Sequence, residues 1–172
     1  MTESMKLEHF TDQVFKFEHD RSYVQKPPMG FMKPEGLWVS VAGEDSWDWP
    51  AWCRSESFCL SSLDHVAEVN LVDDANILHV DTPEGLDLFH HAYAVDDELL
   101  RTGVPSRRLW ATDEKRYWSL DWPTVAAKYD GVIIAPYHYS RRLDGPMWYY
   151  GWDCASGVIW NLDAVASVEV IR

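Results

Sequence analysis

A chain of 172 residues, 47% hydrophobic and 25% charged, has the size and composition of one globular domain spanning residues 1–172. Its formal net charge of −13 argues against general binding to nucleic acid or anionic lipid, because a surface of that sign repels phosphate. With three cysteines, no CxxC, no apolar leader in MTESMKLEHF and no apolar run of membrane-spanning length, the sequence predicts a cytoplasmic protein with reduced thiols, no disulfide framework, no metal site and no membrane span.

In chain order, QVFKFE (13–18) alternates apolar and polar residues and predicts a half-buried strand. HDRSYVQKPPMGFMKPEG (19–36) reads as a loop, longer than compact domains keep without a use. LWVSV (37–41) predicts a short strand, with Gly36 letting the backbone turn into it. In SWDWPAWCRSESF, Ser46 or Asp48 caps a helix with Pro50 in its first turn, and Trp49, Trp52 and Cys53 share one face of it. HVAEVNLV (65–72) and NILHV (76–80) are strand-like, and Asp73-Asp74-Ala75 between them predicts a hairpin. Thr82-Pro83-Glu84 opens a helix with Leu86, Phe89, His90 and Tyr93 at i, i+3, i+4 and i+7. Residues 95–117 read as charged and irregular. Asp121 caps a helix through Trp122, Val125 and Ala126, which Tyr129-Asp130-Gly131 ends. VIIA (132–135) predicts a buried strand, PYHYSRRLDGPM (136–147) a loop, and GVIWN (157–161) and VASVEVI (165–171) strands around a turn at Leu162-Asp163. Strands outnumber helices and neighbours look hairpin-like, which predicts a single α+β domain with a mainly antiparallel sheet and a few short helices.

Ten tryptophans imply an aromatic core, a stacking pocket, or both. No GxSxG, HExxH or Walker loop is present, and nothing places a Cys beside a His. Two stretches carry candidate chemistry. In KPEGLWVS (33–40), Trp38 and Ser40 project on one face by the two-residue period, as a stacking wall and a hydrogen-bonding group or simply as core. In WYYGWDCASGVIWN (148–161), Asp153 stands among aromatic rings, where a carboxylate is costly to bury unless paired. It either braces the Ser156-Gly157 turn or stands at the edge of an aromatic cleft.

This layout resembles the ADP-ribosyltransferase-like fold, with its split sheet. The resemblance is carried by GLWVS, by EVNLVDDANILHV, by the helix ending in FHHAY, by the YDG turn before a late strand and by ASGVIWNLDAVASVEVI. The KP-GLW and WD-ASG-IW stretches are also similar to runs in uncharacterised bacterial and phage proteins. The family resemblance implies NAD as the bound molecule and transfer of ADP-ribose to a protein or nucleotide acceptor. It implies His19 or Arg21, with Lys33, on ribose and phosphate. It also implies Trp38 and Ser40 shaping the nicotinamide pocket, with Ser156 beside it, and one of Trp52, Tyr93 or Tyr150 stacking on the nicotinamide. The family's late Glu has no counterpart before VIW. Asp153 is the nearest acid, and its implied role is to steady the oxocarbenium-like transition state. The competing expectation is a non-catalytic acidic binding module, a phage or mobile-element protein that sequesters a host factor.

Overall fold

The computed structural model describes residues 5–43, 47–106 and 114–172. Nine strands are found among them: β1 Lys6–Thr11, β2 Leu37–Ala42, β3 His65–Leu71, β4 Ile77–Val80, β5 Ala94–Val95, β6 Ser119–Leu120, β7 Gly131–Ile134, β8 Ser156–Ile159 and β9 Val165–Val170. The α-helices are α1 Trp49–Glu56, α2 Pro83–Tyr93, α3 Asp97–Thr102, α4 Trp122–Ala126 and α5 Tyr139–Asp144. Seven strands form one sheet in the order β4-β7-β8-β2-β1-β3-β9, and β5 and β6 form a separate pair. Neighbours in the large sheet run antiparallel except β4 and β7, which are parallel. The architecture is the expected α+β one.

Helix starts follow local chemistry. The Asp48 carboxylate accepts from Ala51 N–H at 2.9 Å to begin α1, Thr82 Oγ1 from Gly85 N–H at 3.0 Å to begin α2, and Asp121 from Thr124 N–H at 3.2 Å to begin α4. In each, proline occupies the first turn, where its missing N–H costs nothing. Ser46, the other candidate cap for α1, lies outside the described residues.

Strand pairing departs from the sequence reading in three places. The segment 13–18 is not a strand; the first strand is β1, upstream. Phe15 and Phe17 pack on the sheet's second core cluster, so their alternation anchors a long segment lying across the sheet rather than a strand within it. The expected hairpin of β3 and β4 does not form. β3 pairs with β1 and β9, and β4 lies at the opposite edge on β7. The cause is Asp130: its carboxylate accepts from Asn76 N–H at 2.9 Å, and Asn76 carbonyl accepts from Asp130 N–H at 2.9 Å. These bonds draw the chain after β3 to the start of β7. β8 and β9 also separate, β8 to the middle of the sheet and β9 to its edge. Within the stretch expected to be loop, residues 139–144 form α5.

Each face of the sheet carries a core. On one, α2, α4 and the 3₁₀ turn Met147–Gly151 pack Leu86, Phe89, Trp122, Val125, Trp148 and Tyr149 on Val132, Ile134 and Val158. Trp122 sits between Phe89, Trp148, Trp152 and Trp160 at centroid distances of 6.0, 6.0, 6.3 and 6.4 Å. Offset and edge-on ring pairs of this kind add to the area they bury. The other face gathers Leu7, Leu37, Val39, Val41, Val69, Ile133 and Ile159. Gly36 is needed for contact rather than for turning. A Cβ there would stand 2.5 Å from Val158 Cγ2 and 2.7 Å from Ile159 carbonyl oxygen.

Candidate functional site

Antiparallel register sets Glu8 of β1 opposite Ser40 of β2, and Ser40 opposite Ser156 of β8. Paired residues share a face, so these three side chains form a row across adjacent strands. Trp38, two residues before Ser40, points the same way. A cavity of about 340 Å³ opens beside this row. The α1 residue Trp49 and Ser62 wall one side, Trp152, Asp153 and Cys154 another, and Lys33 reaches it from the long segment preceding β2.

Three indoles, those of Trp38, Trp49 and Trp152, line it. The rings of Trp38 and Trp152 lie 4.8 Å apart at 55°, and Trp49 stacks at 5.0 Å and 21° on Trp52 behind it. Ser40 Oγ accepts from Trp49 N–H at 2.9 Å, so a strand hydroxyl ties down the first residue of α1. Trp49 Nε1–H donates to Ser62 Oγ at 3.0 Å, which locks the ring from its far end. Lys33 Nζ lies 5.4 Å from the Trp38 ring centroid, a cation over an aromatic face.

Asp153 is the acid of the site. Its side chain is 24% exposed, and its nearer oxygen is 4.0 Å from Arg142 Nη2. Burial raises its carboxyl pKa, Lys33 and Arg142 pull it back down, and Glu56 pushes it up. Its backbone carbonyl accepts from Trp47 Nε1–H at 3.2 Å. Among the described residues, no backbone amide is seen to hold its carboxylate in the manner of a turn brace; charged side chains flank it. Burial also pushes the Cys154 thiol up to about 12, which keeps it protonated and a poor nucleophile at neutral pH. His9 donates Nδ1–H to the Trp38 carbonyl at 2.7 Å, and burial lowers its pKa.

Of the residues expected in the site, Lys33, Trp38, Ser40, Asp153 and Ser156 meet around this cavity. The rest stand elsewhere. His19 is exposed, edge-on to Phe17 at 5.8 Å, and Arg21 is exposed over Tyr23 at 5.0 Å. Trp52 lies behind Trp49, packed with Cys53 and Cys154. Tyr93 sits on the α2 core with Lys128 at 5.1 Å from its ring. Tyr150 is 48% exposed, under Arg142 at 5.4 Å. Glu8, Trp49, Ser62 and Trp152 line the cavity without having been expected to. Trp49 was legible only as a helix face, and Glu8 enters through a register that its own segment does not reveal.

Among the described residues, no group of three or more His, Cys, Asp or Glu is arranged to hold a metal ion, and no helix is long and apolar enough to cross a membrane. No family model, curated protein or solved structure matches the chain.

Proposed function

We propose that the cavity takes the nicotinamide-ribose end of NAD and that the protein transfers ADP-ribose from it to a macromolecular acceptor. The observation that carries this reading is the meeting of Trp38, Ser40, Lys33 and Asp153, from distant parts of the chain, around one aromatic cavity. A volume of about 340 Å³ is near the small end of ligand pockets and suits a nicotinamide riboside unit rather than a whole dinucleotide. The nicotinamide of NAD is a flat cation, and indole faces beside a carboxylate favour such a ring. The ADP half then runs over the rim, where Lys33 is the cation available to its pyrophosphate, since His19 and Arg21 lie away from the cavity.

In the step proposed, the bond between ribose C1′ and the nicotinamide nitrogen breaks, and nicotinamide leaves neutral with the electron pair. Positive charge develops on C1′ and the ring oxygen, and ionised Asp153 steadies it. The acceptor's nucleophile bonds to C1′ and gives its proton to water. Cys154, held protonated, takes no part.

Incubation of the protein with labelled NAD and a cell lysate tests the proposal. The expected result is nicotinamide release with label on a macromolecule. Asp153→Asn should stop turnover with little loss of binding. Trp38→Ala should weaken NAD binding by about 5- to 150-fold, the worth of one stacking contact at about 1–3 kcal/mol. No nicotinamide and no transfer, where a known transferase works, overturns it. Quenching of tryptophan fluorescence by NAD without product would leave a nucleotide-binding pocket without chemistry. The net charge and the register of Glu8, Glu68 and Glu169 across β1, β3 and β9 favour a second reading, the acidic module that binds a partner. Its mark is a stoichiometric partner captured equally by Asp153→Ala.

A further inference from the structure

We infer that Arg142 is a positioning residue for Asp153: from outside the cavity, its guanidinium stands as an anchored counter-charge beside the carboxylate. The inference rests on the proposed function only for its bearing on turnover; the pairing itself is independent of what binds.

The geometry begins with how α5 is held. Arg141 clamps the helix to α2, its Nε 3.0 and 3.2 Å from the two Asp87 carboxylate oxygens and its Nη2 2.8 Å from Oδ2. At the helix's end, Arg116 donates to the Gly145 carbonyl at 2.8 Å and to the Leu143 carbonyl. With α5 fixed by these two guanidiniums, the next residue, about 100° further around the helix, has a set direction. That residue is Arg142, 25% exposed, whose guanidinium lies 5.4 Å from the Tyr150 ring centroid and whose Nη2 reaches Asp153 at 4.0 Å. A planar guanidinium held on a ring loses little further freedom in pairing with a carboxylate. Arg142 does not line the cavity, so it acts on a ligand only through Asp153.

The other groups facing Asp153 come from three elements. Lys33 approaches from the segment before β2, Glu56 from the end of α1 and the Tyr137 phenol from the segment after β7, with the Cys154 thiol on the adjacent residue. Burial keeps both of these last two neutral, with pKa values pushed up to about 12. Lys33 is exposed on a long connection, whereas Arg142 is three-quarters buried on an anchored helix. Lys33 exerts the larger pull on the Asp153 carboxyl, but Arg142 is the stiffer counter-charge, and screening weakens it less.

The test is a side-chain carboxyl titration by ¹³C NMR on the ligand-free protein. Arg142→Met should move the Asp153 midpoint upward by about one pH unit, the low end of what an opposite charge at this range supplies. Arg142→Lys should restore most of it. Should Arg142→Met fail to fold, Tyr150→Leu, which removes the ring under the guanidinium, decides by a smaller upward move. If NAD is turned over, the acid limb of its pH profile should move with the midpoint. An unmoved Asp153 midpoint in the folded Arg142→Met protein, or in Tyr150→Leu where only that variant folds, overturns the inference. Failure of NAD turnover with the midpoint moved overturns the proposed function alone.

Discussion

Gly157 stands in the middle of β8, opposite Val39 of β2 on one side and Ile133 of β7 on the other. A Cβ at this position would lie 2.6 Å from Ile133 Cγ1, 2.7 Å from the Val132 carbonyl oxygen and 3.1 Å from Ile133 Cα. Carbon atoms in good contact sit about 3.5–4.0 Å apart, so β7 has to give way. Two of the three atoms are backbone, and no rotamer change moves them. Overpacking of this kind costs about 1–3 kcal/mol, and an immovable strand places Gly157→Ala in the upper half of that range. Replacing glycine restricts the unfolded chain and returns about 0.4–1 kcal/mol, leaving a net loss of about 1–2.6 kcal/mol. At about 2–4 °C per kcal/mol for a chain of this length, the melting temperature should fall by about 2–10 °C. Gly151→Ala is the control, since its Cβ would meet only Lys33 Cε at 3.6 Å, an ordinary contact. Thermal unfolding by circular dichroism, with a guanidinium titration alongside, reads both variants. If Gly157→Ala lies within about 0.5 kcal/mol of the parent, the usual scatter of harmless substitutions, the close approach of β7 and β8 is wrong.

Two further outcomes concern charge. Asp153→Asn should stabilise the protein at neutral pH. The folded carboxyl titrates above its ordinary value of 3.8, mainly through burial, so its charge costs nothing below 3.8, and the cost grows as pH rises from 3.8 and is complete above the folded value. The gain, followed by chemical denaturation at a series of pH values, should shrink as pH falls toward 3.8; a variant less stable than the parent at pH 7 contradicts it. His9 has the opposite sense. Its folded pKa is lowered by burial, so its share of stability is complete above 6.5 and is lost as pH falls from 6.5 through the folded value. His9→Gln should flatten the fall in stability below 6.5, and an unchanged slope would remove His9 from the account.

What the sequence told was local, and what it withheld depended on distant atoms. Asp48, Thr82 and Asp121 announce helix starts because a capping carboxylate or hydroxyl acts within three residues of itself. Trp38 and Ser40 could be placed on one face because a strand's period is two wherever the strand goes. The pairing of β3 and β4 could not be read the same way. Asp73-Asp74-Ala75 has turn chemistry, yet the chain's path there is set by Asp130, which captures Asn76 from across the fold. Arg142 was hidden in a short stretch bounded by Pro136 and Pro146 that reads as loop. Its helix exists because Arg141 and Arg116 pin it to other elements. Phe15 and Phe17 misled for the converse reason: a segment docking on a sheet face alternates as a strand does.

The aromatic cluster explains why a cavity of this kind can hold its shape. Trp152 is 1% exposed and belongs to two structures at once. Toward the cavity it meets Trp38 at 4.8 Å; toward the interior it packs on Trp122 and Trp148 at 6.3 and 6.0 Å. The wall that a ligand would touch is thus the outer layer of the core, and core packing fixes its rotamers. The same continuity limits what mutation can show. Truncating Trp152 removes a core ring and a cavity wall together, at a stability cost of about 3–5 kcal/mol for a buried tryptophan. Lost binding in such a variant says nothing about the site. Trp38 is half-buried and reaches the core through Trp152, so its truncation separates the two effects better. The opposed stability and function expected of Asp153→Asn separate them further: turnover lost in a variant more stable than its parent has its cause in the missing charge and not in a damaged fold.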